Sequence, residues 1–408
     1  MSFATQPQAA ARQPRAIHAA ILLVTSGLTT LATAVLGPSL PKMQAYFAAT
    51  PRAEYWVPLA MTVPMLVMAI LSIFAGALAD RIGRKRLLVW STALYAVFGT
   101  APLWLPTLQS IFASRVLMGV TEAALMTVST TMIGDYFAGA QRQKFMSLQT
   151  TVASGSAFVL NVLGGMLGEF GWRVPYAVYS VSLPLALLMA VYLWEPKPAD
   201  ASQVRESHAP DDAGATFRPA QLAGICAVAL LVGLVFLIVP VHLAFLFNAI
   251  GETSPQHIGM AYGLDSLGVV AGTLFFGWIV AGRLGVPAQL GLAIALTGLG
   301  FVGMGLATSF AALTAAAMLN GFGSGILLPA AVTWNMRELP FERRGLGVGA
   351  FQSSLFFGMF LNPILVVSLA GTLGTRAAAV EAVGFGLLVA AAAAFAFARR
   401  GGLVPGAD

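Results

Sequence analysis

Charge is scarce in this chain. Asp, Glu, Lys and Arg together make up 9% of its residues, where a soluble domain carries about a quarter, and that excludes water as the main solvent of the fold. Cysteine is scarcer still: Cys226 stands alone, which excludes an intramolecular disulfide and offers no metal-ligand cluster. No P-loop pattern is present to draw on nucleotide energy. A membrane enzyme or sensor would need a catalytic His, Cys or Ser constellation or an appended soluble domain, and the chain shows neither; no cofactor is expected.

Apolar residues are abundant instead. They form 58% of 408 residues, enough for roughly twelve spans of about 20 residues across about 30 Å of hydrocarbon. The 43 glycines and 22 prolines fit the same solvent, because neighbouring helices in a bilayer satisfy the backbone groups that these residues free. Apolar runs bounded by charge predict helices near 17–41, 55–79, 87–105, 108–134, 145–168 and 174–194. Six more follow near 221–248, 255–281, 286–306, 309–336, 345–370 and 377–398. The stretch from Glu195 to Gln221 interrupts them with Pro196, Pro198, Pro210 and Pro219 among scattered charges, which is linker composition. The predicted units are therefore 1–194, a cytoplasmic linker at 195–220, and 221–408.

Near the start, Arg12 and Arg15 precede an apolar run reaching Ala32-Thr33-Ala34, which imitates a secretory signal with its cleavage site. Cleavage there would remove most of the first span and leave an odd number, so the segment reads as a retained helix. With the N-terminus placed in the cytoplasm, inside segments hold seventeen of the 22 Lys and Arg residues. Only Lys42, Arg52, Arg173 and Arg376 lie outside, and Arg115 falls within a span. This bias predicts both termini inside. It also accounts for the net charge of +6 without a nucleic-acid partner; the expected partners are the lipid bilayer and a small-molecule solute.

A shift of 202 residues pairs Pro38 with Pro240, Arg81 and Gly83 with Arg283 and Gly285, Gly119 with Gly321, and Arg142 with Arg344. One offset serving four corresponding places predicts a parallel repeat: twelve transmembrane helices in two pseudo-symmetric six-helix bundles, with a solute site between them near the midplane.

After the second run the chain reads Gly76-Ala-Leu-Ala-Asp80-Arg81-Ile-Gly83-Arg84-Lys85-Arg86. This closely resembles motif A of the major facilitator superfamily. The resemblance implies that fold, a secondary transporter rather than an enzyme, and a bacterial cytoplasmic (inner) membrane as its home, where it works as a monomer. It also implies a conformational latch: Asp80 against the helix start at Gly345, and Arg84 bridged to Asp135, with Arg81 and Gly83 completing the turn. Read physically, Gly83 permits a tight turn and the cations hold the loop inside. In the second copy Gly282 replaces the acid.

The fourth run holds Arg115-Val-Leu-Met-Gly119-Val-Thr-Glu122, similar to motif B of that superfamily. A charge at this depth costs roughly 2.5–3.5 kcal/mol, so Arg115 should face protein or a wet cavity, as a substrate contact or as a brace on backbone. Glu122 lies two turns further along the same face, about 10 Å away. Two other titratable groups sit within runs: Asp265 near the middle of the eighth, and His242 beside Pro240 in the seventh. Thr25, Ser26, Thr29, Thr30 and Thr33 add a polar stripe to the first run. In the fifth run Leu160-Asn161 stands where drug antiporters of the superfamily carry the Gly-Pro pair of motif C, although Gly164-Gly165 follows. That departure weakens the case for proton/drug antiport and makes Asn161 a candidate cavity group.

The functional expectation is a secondary active transporter of a small solute, proton-coupled through Glu122 or Asp265, with a lean to export of a drug or metabolite. Arg115, Asn161 and His242 are the candidate solute contacts. A proton symporter importing an organic anion and an uncoupled facilitator are the alternatives.

Overall fold

The computed structural model describes residues 14–137, 139–195, 219–338 and 344–400; most of the predicted 195–220 linker falls outside the described residues. Hydrocarbon offers no water to an unpaired N–H or C=O, and helices satisfy both within one segment. Accordingly, no strand occurs among the described residues. The first passage is Ala16–Ala34, continued by Leu40–Tyr46. Passages two to five are Ala53–Ile82, Arg84–Thr100, Leu108–Tyr136 and Gly139–Glu169. The sixth begins as a 3-10 segment, Val174–Val181, and continues as Ser182–Tyr192.

The seventh passage is likewise split into Pro219–Phe236 and Ile238–Ala249. The eighth, Pro255–Phe275, runs through a π-helical turn at Phe276–Val280 to Ala281–Arg283. Val286–Leu306, Phe310–Glu338, Arg344–Leu373 and Arg376–Arg400 complete the set. Eleven of these described passages are long and apolar enough to cross a membrane by length and composition. Arg84–Thr100, with 17 residues, is the twelfth.

Several predicted boundaries move, among them the start of the fifth run, from 145 to Gly139. The first run does not end at 41: Pro38 and Pro41 cannot donate backbone hydrogen bonds, so the helix breaks into a 3-10 turn at Gly37–Ser39 and resumes to Tyr46. The third run shifts from 87–105 to 84–100, because Gly83, at φ 98°, turns the chain and lets the helix start at once, while Pro102 sits in the 3-10 turn that ends it. Pro38 and Pro240, paired by the 202-residue shift, both stand at breaks, and the breaks face each other. A Cβ added to Gly37 would lie 2.9 Å from the Pro240 carbonyl oxygen.

Passages one to six pack among themselves, as do seven to twelve, and the halves meet where two lies along eleven and five along eight. Lipid provides little hydrophobic drive for helix association, so close backbone approach at small residues carries the packing. In the second half, Gly268 and Gly272 face Gly321 and Gly325 across passages eight and ten. A Cβ on Gly272 would sit 2.0 Å from the Phe322 carbonyl oxygen, and one on Gly325 would sit 2.2 Å from that of Val269. The outward faces stay apolar, with Trp90, Val191, Trp278 and Val389 exposed toward where lipid would lie. One end of the bundle carries Arg81, Arg84, Lys85 and Arg86 and is called the basic end below; the other, at residues 37–53 and 169–174, is the distal end.

Gly272→Leu should lower the thermal midpoint of the purified protein in detergent, at a cost of about 1–3 kcal/mol from overpacking. Gly386→Leu, where a Cβ meets nothing within 4 Å, should leave it unchanged.

Candidate functional site between the two halves

A cavity of about 440 Å³ opens between the halves. Its floor and sides combine Thr29, Thr30 and Thr33 from passage one, Met65 and Met68 from two, and Glu122 and Met126 from four. Asn161 comes from five, Asp265 and Ser266 from eight, and Phe351, Gln352 and Met359 from eleven. Val332, Phe351 and Gln352 carry the wall toward the basic end, whereas Ala34, Pro240 and Tyr262 close it on the distal side. Tyr262 holds that roof: its hydroxyl donates to the Pro240 carbonyl at 3.2 Å and accepts from the Ala244 N–H at 3.2 Å.

Each half contributes one carboxyl group. Gly119, where an added Cβ would lie 2.8 Å from the Pro64 Cα, presses passage four onto passage two, and Glu122 projects one turn further along. Glu122 is 1% exposed, and neither of its oxygens has a hydrogen-bond partner among the described residues. Asp265 is 8% exposed and its Oδ1 lacks a partner as well. A buried carboxylate without partners is costly, so these groups call for a proton, water or a bound cation. Next to Asp265, Asn161 Nδ2 donates to Ser266 Oγ at 3.1 Å across the two halves, and Ser266 Oγ donates to the Tyr262 carbonyl at 3.0 Å.

Two residues expected in the cavity are elsewhere. Arg115 lies two turns toward the distal end and is 1% exposed. Its Nη2 donates to the Phe98 and Gly99 carbonyls at 2.7 and 2.9 Å, which belong to the last turn of passage three, where carbonyls lack helical partners. The guanidinium carbon also stands 5.1 and 5.2 Å from the ring centroids of Tyr176 and Tyr179. The cation is thus spent on backbone and aromatic faces, and the brace is what the geometry displays. His242 is fully buried in passage seven, beside Phe245, and is not among the residues that line this cavity. The helix restarts at Ile238, Pro240 faces the cavity, and two further residues turn the side chain roughly 200° around the axis.

At the basic end, Arg84 is gripped by Asp135 and, at 3.0 Å, by Asp80, while Arg81 is exposed. Passage eleven starts at Arg344, but the side-chain surroundings of Gly345, the expected partner of Asp80, lie outside the described residues. Glu195, not singled out from the sequence, accepts from the Lys85 N–H at 3.0 Å and from the Arg84 N–H, capping the start of passage three. A Cβ at Gly83 would press on it at 3.1 Å. The methionines, Phe351, Gln352 and Ser266 were also not singled out. In an all-apolar helix nothing in the sequence marks the face turned to a cavity, although Ser266 beside Asp265 was a visible polar pair.

The family model described as Major Facilitator Superfamily matches residues 22–250 and 222–406. The multidrug efflux pump LfrA of Mycolicibacterium smegmatis is 30% identical over 174 residues, 42% of this chain and 33% of the pump. The 3-(3-hydroxy-phenyl)propionate transporter of Escherichia coli is 27% identical over 357 residues, 83% of each chain. This chain therefore spans a third of the pump's length and most of the second relative's. In fold it is similar to a bacterial homologue of the human lysosomal transporter Spinster in its inward-facing and occupied conformation, with a TM-score of 0.75 at 14% identity over 98% of this chain and 99% of that one.

Arg115→Ala strands the Phe98 and Gly99 carbonyls, so it should destabilise the protein by about 1–3 kcal/mol, read as a lower thermal midpoint. Solute affinity should be unchanged, because the cavity wall is intact; a raised half-saturating concentration without loss of stability would restore Arg115 as a solute contact.

Proposed function

From the premise that this chain belongs to the major facilitator superfamily and is a membrane transporter, we propose that it couples proton flow to export of a mostly apolar, neutral or cationic solute. The observation that carries this reading is a pair of buried carboxyls, one from each half, facing a single cavity: Glu122 with neither oxygen partnered and Asp265 with its Oδ1 unpartnered. Groups placed there exchange protons with whichever side the cavity opens to, and each elementary charge moved through 100 mV contributes roughly 2.3 kcal/mol. The described wall holds no Lys, Arg or His. Four methionines, Met65, Met68, Met126 and Met359, give it the adaptable apolar surface suited to varied solutes.

Glu122 is the better candidate for the coupled proton, since both its oxygens lack partners. In the proposed topology the basic end faces the cytoplasm, following the bias of Lys and Arg, and the cavity reaching toward that end corresponds to an inward-facing state. Asp80, Arg81, Gly83, Arg84 and Asp135 then form the latch that closes it. Import of an organic anion by proton symport is the second reading. It is favoured by the extent of the match to the E. coli transporter and opposed by a wall without a cation.

Reconstituted protein with an imposed pH gradient tests the proposal. Glu122→Gln should abolish gradient-driven accumulation while leaving solute exchange largely intact. If it still accumulates solute and Asp265→Asn does not, the coupled proton belongs to Asp265; if both accumulate it, neither carboxyl carries the coupled proton; and if flux ignores the gradient, the chain is an uncoupled facilitator. For the latch, Asp80→Asn should shift distances between labels on the two halves toward the inward-open state and slow transport. A normal distribution with normal transport would reduce the motif to a topology signal.

A further inference from the structure

The distal end contains a joint that the proposed cycle does not account for. Glu169, the last residue of passage five, reaches across to the other half and accepts hydrogen bonds from the Ser254 hydroxyl and, at 3.1 Å, from the Gln256 N–H. Ser254 is the N-cap of passage eight, its Oγ accepting from the His257 N–H at 3.3 Å. The first N–H groups of a helix have no partners inside it and carry the positive end of its dipole. Passage eight thus receives one capping oxygen from its own half and a carboxylate from the opposite one. Lys42 Nζ, at the distal end of passage one, stands 3.7 Å from Glu169 Oε2 and donates to the Gly168 carbonyl at 3.2 Å. Glu252 completes the collar: it accepts from the Ser254 N–H at 2.9 Å, and that bond holds its carboxyl below the usual range.

The geometry points to Glu169 as the residue that locks the distal side shut, a positioning residue for the conformational cycle that grips a helix start of the second half. The helices it joins are already in backbone contact beneath it. A Cβ on Gly165 would lie 2.4 Å from the Pro255 carbonyl oxygen, and one on Gly259 would lie 2.7 Å from that of Asn161. Passages five and eight cannot part at this end without withdrawing the carboxylate from the Ser254 hydroxyl and the Gln256 N–H. Along the other line of contact, between passages two and eleven, the described residues place the neutral pair Tyr55 Oη and Ser368 Oγ at 3.4 Å. One charged donor crosses between the halves elsewhere at this end: Arg376 Nη2 donates to Gln44 Oε1 at 3.0 Å. The Glu169 side chain is 35% exposed, so solvent screens its bonds to the second half, while its ion pair with Lys42 lies within the first half and holds the carboxylate in place. A screened lock of this kind biases the two states and still opens on every turnover.

The test does not depend on the solute or on proton coupling. Spin-label or fluorophore pairs placed across the distal ends of passages five and eight, in purified full-length protein, report the open fraction. Glu169→Gln should raise that fraction by about two- to fivefold, the range expected when exposed charge-assisted bonds to the Ser254 hydroxyl and the Gln256 N–H become neutral ones, and should make a cysteine placed at the distal roof of the cavity react faster from that side. If Glu169→Gln does not yield folded protein, Ser254→Ala removes the hydroxyl donor, leaves Glu169 in place and decides the matter on the same two readouts. An unchanged distance distribution and labelling rate, with or without a lower thermal midpoint, would overturn the assignment and leave Glu169 as a helix cap only.

Discussion

In hydrocarbon two apolar helices gain little by hiding from their solvent, so their association depends on how closely their backbones approach. That constraint runs through this molecule. Passages eight and ten meet at Gly268, Gly272, Gly321 and Gly325, and passages five and eight meet at Gly165 and Gly259. The first contact builds a half, and the second joins the halves. Both use the same chemistry, so strength alone does not distinguish the fixed contact from the moving one. What distinguishes them is placement: the contact between halves ends in a polar, part-exposed collar at the distal end and in the solute cavity below it.

Much of this architecture was legible before any coordinates. Runs such as 108–134 and 286–306 agree with Leu108–Tyr136 and Val286–Leu306 to within a few residues, helped by Pro106, Asp135 and Pro287 at three of their four ends. Two of the misplaced ends are those at which proline sits inside an apolar run, whereas the early start of the third run follows from Gly83. Hydropathy passes over Pro38 and Pro102 without a signal, whereas the backbone cannot, since each removes a donor and turns the helix. Pro38 and Pro240 were visible as a repeat pair; that their two breaks would touch was not, because a sequence shift relates equivalent positions and says nothing about which of them face one another.

The site was legible as a list of charges and illegible as a set of directions. Glu122, Asp265 and Asn161 line the cavity, and each is a polar residue in an apolar run, which is the signal that found them. Arg115 bears the same signal and points elsewhere. A guanidinium is long enough to reach the two open carbonyls at the end of passage three, and Tyr176 and Tyr179, far along the chain, close over it. Nothing local to Arg115 announces those partners. His242 fails for a rotational reason, since a break at Leu237 resets the helical phase. Glu169 and Glu195 share a third cause: each sits where a run ends and looks like a solvated terminus, yet each caps a helix belonging to a distant stretch of sequence.

A cavity with an acid on each wall and no base among its described residues bears on leakage. In the proposed cycle the empty, ionised site would have to carry its negative charge through a low-dielectric constriction whenever the halves rock. Buried carboxylates short of partners make that passage expensive by several kcal/mol per charge, and the membrane voltage acts on it as well. A site neutralised by protons or by a cationic solute escapes the penalty. Slippage, in which the carrier resets without cargo and dissipates the gradient, would then be suppressed by electrostatics alone. No mechanical interlock between cargo and gate is needed, and a wall of pliable methionines can accept solutes of differing shape without loosening the exchange.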